Sequence, residues 1–284
     1  MRRTWRSQLE LNRGMEKNNG ETVGVKAVQR ALDILTCFSL ESPQKGVSEI
    51  SLETGLSKGS VHRLLMALKS RRCVDHDPAT GKYQLGTKLL ELAGVLYANR
   101  LSYQEKARPQ LQRLVEQINE TVVVLTLDGD TLICTMVIET PRPVRVFTRV
   151  GVRRRAYFGA AGQVLLAWQS KETIDRALPD RLEAFTLWSI KEPADYLRRL
   201  RQVREQGYAL DRQEAFPDVT ALGAPIFDHD GQVVAAVVIT APSHRMSEER
   251  MPGLIQQLLT KTASISLELG APESMVAKSN ALGV

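Results

Sequence analysis

Five hydrogen-bonding side chains crowd the start of one amphipathic stretch, Lys58–Arg71: Ser57, Lys58, Ser60, His62 and Arg63. At about 100° per residue, Val61, Leu64, Leu65 and Leu68 share one face, while Gly59, Arg63, Met66 and Ser70 lie opposite. An arginine so placed can fork onto guanine O6 and N7, and the serines and histidine can reach base edges or phosphates. Small residues at a helix N-terminus also let the backbone approach a phosphate, which the helix dipole attracts. The plainer reading is an amphipathic helix with an ordinary polar face, so the neighbouring elements have to decide.

They frame a winged helix-turn-helix over 24–86. Val25–Leu40 reads as a helix striped by Val25, Val28, Leu32 and Leu35, with Ala31 and Phe38 widening the stripe, and Glu41–Gly46 ends it. Ser48–Thr54 is a short helix with Ile50 and Leu52 apolar, closed by Gly55; Leu56 plugs the corner and Ser57 caps the next helix. Cys73–Asp75 and Tyr83–Leu85 read as wing strands around the turn residues Asp77–Lys82. Thr80 and Lys82 on the wing, and Lys69 on the long helix, complete the set expected to face double-stranded DNA. Tyr83 is expected in the core.

Charge agrees in sign. The chain carries a net +6, and residues 24–86 hold nine Lys/Arg against six Asp/Glu. Residues 1–23 add five against three and are expected to be a flexible arm whose Arg2, Arg3, Arg6 and Arg13 either touch phosphates or carry no site. The three cysteines, Cys37, Cys73 and Cys134, are odd in number and far apart, which argues against a disulfide framework. Cys73 and His76 resemble half a zinc site without a second half. No metal or cofactor is expected. With neither signal peptide nor membrane span apparent, a cytoplasmic protein is expected.

Thr87–Ala98 is apolar at helical spacing (Leu89, Leu92, Ala93 and Leu96, with Leu90 and Tyr97 beside them), so 87–100 is expected to be a linker and dimer seam, or else to pack within its own chain. Beyond it the pattern is α+β. A helix over Ser102–Asn119 precedes strands Thr121–Leu127 and Thr131–Ile138, a strand Pro143–Val150, and a Gly-Ala-Ala-Gly helix start at 159–162. Helices Glu172–Leu178 and Ala194–Gln206 follow, then strands Tyr208–Asp211, Val219–Phe227 and Gln232–Thr240. A last helix, capped by Ser247, runs to about Leu269. An α+β sensor domain is thus expected over 101–270, with an antiparallel sheet flanked by helices that can form a small-molecule pocket, and 271–284 as a flexible tail. Arg142, Arg145, Arg149 and Arg153–Arg155 read as loop and edge charges or as an anion-recruiting cluster. Asp211 and Glu214 are paired carboxyls three residues apart with no evident third group. With four histidines and no triad or metal spacing, catalysis is not expected.

The motifs VKAVQRALDIL (25–35), TGLSKGSVHRLL (54–65), YQLG (83–86), AAGQVLLAW (160–168), GYALDRQE (207–214) and ALGAPIFDHDGQVVAAVVIT (221–240) make the chain resemble the IclR family of bacterial transcription regulators over roughly 24–270. The resemblance implies a winged helix-turn-helix joined to a GAF-like effector domain, homodimers that pair into dimers of dimers on operator DNA, and control of catabolic or transport operons by a small metabolite, often an organic acid. It also implies an effector site at Ala160, Ala161, Gly162, Asp211, Ala221, Val238 and Thr240. Relatives that take small keto acids carry cysteine and serine at the positions of Ala221 and Val238. The apolar residues here shift the expectation to a larger, partly apolar aromatic or hydroxylated acid. The competing readings are a ligand-independent architectural DNA-binding protein and, less favoured, an enzyme.

Overall fold

In the computed structural model, which describes residues 26–39, 42–100 and 103–280, the chain divides between Leu101 and Ser102 into two units. The arm arginines and residues 281–284 lie outside the described residues. The first unit holds α1 (Lys26–Thr36), α2 (Val47–Thr54), α3 (Lys58–Ser70), the antiparallel hairpin β1 (Val74–Asp77) and β2 (Lys82–Leu85), and α4 (Lys88–Arg100).

The corner between α2 and α3 is built by local bonds. Gly55 adopts φ 73°, a conformation that suits glycine, and its N–H reaches the Ser51 carbonyl at 3.0 Å. The Ser51 hydroxyl donates to the Leu56 carbonyl at 2.6 Å, and Ser57 caps α3 by accepting the Ser60 N–H. Leu56 then packs on a core of Ile34, Ile50, Val61, Leu65, Val74 and Tyr83. Tyr83 also exchanges backbone bonds with Lys45, which ties the wing to the segment before α2.

The expected stripe on α1 is corrected. Val28 and Leu32 are each 57% exposed, and the inward residues are Ile34, Leu35, Cys37 and Phe38. The core meets only the C-terminal end of this helix, so among the described residues nothing covers the apolar residues of its first turns. Leu52 is exposed for the same reason: α2 spans two turns and buries Ile50 alone.

The second unit is one six-stranded antiparallel sheet with helices on both faces. Its strands are β3 (Thr121–Asp128), β4 (Thr131–Ile138), β5 (Arg153–Arg155), β6 (Ala209–Arg212), β7 (Val219–Phe227) and β8 (Val233–Pro242), in the order β5-β4-β3-β8-β7-β6. Helices α5 (Tyr103–Ile118) and α9 (Met251–Glu268) pack on each other and on the sheet. Helices α6 (Gly159–Ala167), α7 (Lys171–Ala177) and α8 (Pro193–Gln206) help to form a core with Val123, Leu132, Ala209, Ala236 and Val238. Alternation along the strands sends Leu222, Ala224 and Ile226 to the face opposite Ala221 and Gly223.

Three expectations change here. Pro143–Val150 is not a strand: Pro141 and Pro143 lack N–H donors, the Val144 carbonyl accepts from Arg245, and the ladder resumes only at β5. Ser247 does not cap α9 with its side chain; its carbonyl instead accepts the Met251 N–H at 3.0 Å through an intervening turn. The segment 271–280 is not a flexible tail. It contains α10 (Glu273–Asn280), and Ala271 and Val276 are buried in a cluster with Phe227, Ala263 and Trp168.

One buried ionic group braces the start of β3. The fully buried Glu120 accepts from Arg245 at 2.8 and 3.0 Å and from Arg250 at 3.1 Å. Arg250 also donates to the Ile118 carbonyl. Pairing with two guanidiniums is what makes a buried carboxylate tolerable at this position.

Candidate functional sites

The N-terminal unit presents the edge that the sequence singles out. Lys58, Gly59, His62, Arg63 and Lys69 are exposed on α3, with Val61 and Leu65 buried behind them. Among the described residues, none of Lys58, Arg63 and Lys69 forms an ion pair, so their charge is directed at solvent. A side chain at Gly59 would meet nothing within 4 Å, leaving the first turn of α3 open to close approach. Ser57 is partly committed, since its hydroxyl donates to the Ser60 hydroxyl at 3.0 Å.

The wing differs in one respect. Thr80 donates its hydroxyl to Asp77 at 2.8 Å, and Lys82 stands 4.0 Å from Glu49. The Thr80 hydroxyl and the Ala79 N–H hold the Asp77 carboxyl below its usual range. The wing tip therefore carries an ionised acid beside its basic residue. The Lys82–Glu49 pair is half-exposed and weak, so a phosphate can compete with Glu49 for the ammonium.

In the second unit the sheet register assembles Asp211, Ala221 and Thr240. Asp211 pairs with Ala221, Ala221 with Thr240, and Thr240 with Thr121, so the three side chains share a face in one rank across β6, β7 and β8. Val238 occupies the next rank, opposite Gly223 and Val123. Helix α6 lies against that rank: a Cβ on Gly223 would come 3.2 Å from Val164 and 3.3 Å from the Ala160 carbonyl. Ala160, Ala161 and Gly162 are buried at the start of α6; the Gly162 N–H is taken by the Phe158 carbonyl at 3.1 Å, while the N–H groups of Gly159, Ala160 and Ala161 have no intrahelical acceptor. Gly162 sits against the Ala156 carbonyl and the Tyr157 backbone, leaving no room for a side chain.

Asp211 is only 2% exposed. Its Oδ1 accepts the Glu214 N–H at 2.6 Å, and its Oδ2 lies 3.0 Å from where a Gly159 Cβ would stand. Burial, with the Glu214 charge adding to it, pushes its carboxyl up to about 7. The Asp211/Glu214 pair does have the partners that the sequence left unseen. Arg199 donates to Glu214 Oε1 at 2.8 Å, and the Gln163 amide donates to Oε2 at 2.7 Å. Reading α8 and α6 as helices with one face towards the sheet would have brought Arg199 and Gln163 into consideration. Their distance along the chain from Glu214 hid the pairing. The arrangement is an acid near neutrality facing a helix start, with its second carboxyl already neutralised.

The loop arginines are mostly paired. Arg145 meets Glu139 at 2.9 Å, Arg153 meets Asp128 at 2.8 Å, and Arg154 lies 5.5 Å over the Phe158 ring. Among the described residues one group of possible metal ligands lies together, Asp228, His229 and Asp230 in the exposed β7–β8 turn. There Asp228 Oδ1 already accepts the Asp230 and Gln232 N–H groups. Cys73 is half-buried, and the His76 ring lies tilted against Tyr83 with centroids 4.6 Å apart.

A winged helix-turn-helix whose Lys58, Arg63 and Lys69 form no ion pair among the described residues, carried in one chain with an α+β unit of this kind, is the build of a DNA-binding transcriptional regulator. The chain belongs to the IclR family. Residues 27–78 match the IclR helix-turn-helix domain, and residues 95–267 match the C-terminal domain of bacterial IclR transcriptional regulators. The regulator BhcR of Paracoccus denitrificans is 32% identical over 86% of this chain and 87% of its own length. The regulator KdgR of Escherichia coli is 31% identical over 87% of this chain and 93% of its own. The crystal structure of an IclR regulator from Alicyclobacillus acidocaldarius superposes with a TM-score of 0.73 at 28% identity, covering 86% of this chain and 98% of that one. An IclR homologue from Microbacterium hydrocarbonoxydans, solved with 4-hydroxybenzoate, gives 0.77 at 20% identity over 86% of this chain and 98% of its own; that likeness speaks for the fold. No helix among the described residues is long and apolar enough to cross a membrane.

Proposed function

We propose that this regulator controls a catabolic or transport operon as a homodimer, or a dimer of dimers, whose operator affinity is set by a small organic acid. The operator is read by Ser57, Lys58, Ser60, His62, Arg63 and Lys69 on α3 and by Thr80 and Lys82 on the wing. The acid binds at Ala160, Ala161, Gly162, Asp211, Ala221, Val238 and Thr240. Binding shifts the population between arrangements that fit the operator better or worse.

The observation that carries the DNA reading is the α3 edge, where Arg63 is exposed and free of ion pairs among the described residues. For the ligand, support comes from the α6 start, which offers N–H groups to a carboxylate, and from the apolar Ala221 and Val238 beside the Thr240 hydroxyl. Such a lining suits a partly apolar acid over a small keto acid.

The test of the reading edge is Arg63→Ala. With an operator selected from random duplexes, specific affinity is expected to fall by about 1–3 kcal/mol, and preference at one base pair to relax. Fluorescence anisotropy against specific and scrambled duplexes measures both. An equal loss on both duplexes would make Arg63 a phosphate contact, and no loss on either would remove it from the edge.

A further inference from the structure

We infer that the ligand site of the second unit has a second arm: a cavity beneath the first turn of α6 that takes one hydroxyl of the ligand on the Tyr196 phenol. The inference rests on the reading of the α6 start as the ligand site.

The cavity measures about 20 Å³ and is walled by Tyr157, Gly159, Gln163, Ser189, Tyr196 and Glu214. Tyr196 is 2% exposed, and its phenol oxygen has no hydrogen-bond partner among the described residues. A buried hydroxyl left in that state is costly, so the position favours an incoming oxygen. Two of the other polar walls are already committed. Glu214 accepts from Arg199 and Gln163, and the Ser189 hydroxyl donates to the Glu214 carbonyl at 2.6 Å while accepting the Phe185 and Thr186 N–H groups. The Tyr157 phenol at least accepts the Glu183 N–H at 3.5 Å, whereas the Tyr196 hydroxyl is buried with no partner among the described residues.

Size and charge define what enters. The volume accommodates one water-sized group and excludes a ring. Gly159 connects the two arms: it lines the cavity, and a Cβ on it would stand 3.0 Å from Asp211 Oδ2. A ligand held at the α6 start beside Asp211 can therefore pass only a thin substituent into the cavity. The Glu214, Arg199 and Asp211 side chains all act on Tyr196, and it is the small volume that excludes a second carboxylate. The entering group is a neutral hydroxyl, which makes the ligand a hydroxy acid.

The test uses the full chain, wild type and Tyr196→Phe, titrated calorimetrically with paired acids: benzoate and 4-hydroxybenzoate, phenylacetate and 4-hydroxyphenylacetate, butyrate and 4-hydroxybutyrate. In at least one pair the hydroxy acid is expected to bind wild type about tenfold tighter or more, because a site built around a hydroxyl rejects the analogue lacking it. Tyr196→Phe should bring that ratio close to one and leave the parent acid's affinity unchanged. Equal affinities within every pair that binds, or a ratio that survives the substitution, overturns the inference. Binding by none of the six overturns the organic-acid reading of the site and this inference with it. Without ligand, Tyr196→Phe should melt at or above the wild-type temperature; a fall of several degrees would assign the phenol to the unliganded fold and overturn the subsite.

Discussion

Asp211 sets the chemistry of the second unit because its environment opposes its charge. Burial and the neighbouring Glu214 raise its carboxyl from an ordinary 3.8 to about 7. Between those two values the folded chain holds a proton that the unfolded chain has released, so stability falls as pH rises through this window. Above it the whole cost is present, on the order of a few kcal/mol. Asp211→Asn keeps an oxygen for the Glu214 N–H and carries no charge at any pH. Its melting temperature relative to wild type is therefore expected to climb from pH 4 to 7 and then level off. Scanning calorimetry across pH 4–8 checks this, and a constant difference would place the Asp211 carboxyl in the ordinary range. The cysteines fit the same picture of groups held neutral. Burial pushes the Cys37 and Cys134 thiols up to about 11, so neither is a nucleophilic thiolate at neutral pH. Asp211 was visible in the sequence as half of a carboxyl pair. Arg199, Gln163 and Tyr196 were not, because long-range packing of α6 and α8 brings them to it.

Among the elements, α6 shows how a small-residue helix start serves packing as well as binding. Gly162 lies against the backbone of Ala156 and Tyr157, and backbone atoms cannot move aside as a flexible side chain can. Gly162→Ala is expected to destabilise the second unit by about 2–3 kcal/mol even though alanine is the better helix former. Urea unfolding followed by tryptophan fluorescence would measure it; a neutral result would mean that the 156–158 backbone yields. Most elements were legible from periodicity and turn chemistry. Strand β7 falls at Val219–Phe227 as its sequence indicates, and the α2–α3 corner follows its Gly55 and Ser57 signals. The run 143–150 misled because β-branched composition favours a strand, whereas pairing needs N–H donors that Pro141 and Pro143 lack. The short strand β5 was missed because three consecutive arginines show no alternation.

At the scale of the whole molecule, helix α4 leaves Leu90, Leu92 and Val95 at 76%, 53% and 61% exposure. Leu92 and Val95 lie about 60° apart on one face, with Leu90 on the other side of the helix; exposed apolar side chains of this kind favour a covering partner, and we propose that a second copy supplies it. Leu92→Glu with Val95→Glu is expected to give a folded monomer by sedimentation that binds a single half-site weakly and loses high-affinity binding to the full operator, since two linked reading heads act at a high effective concentration. A doubly substituted chain that still sediments as a dimer would move the seam elsewhere. The sequence by itself determined helix α3, its cap and the wing, the sheet-rich character of the second unit and the family, because these depend on neighbours within a few residues or on short motifs. Only the tertiary structure decided which apolar residues of α1 are covered, that 273–280 forms a helix against Phe227 and Trp168, and that Asp211 faces Gly159 with Glu214 held by Arg199. Those outcomes depend on surfaces and charges meeting across long stretches of chain, and local periodicity carries no record of which partner each will meet.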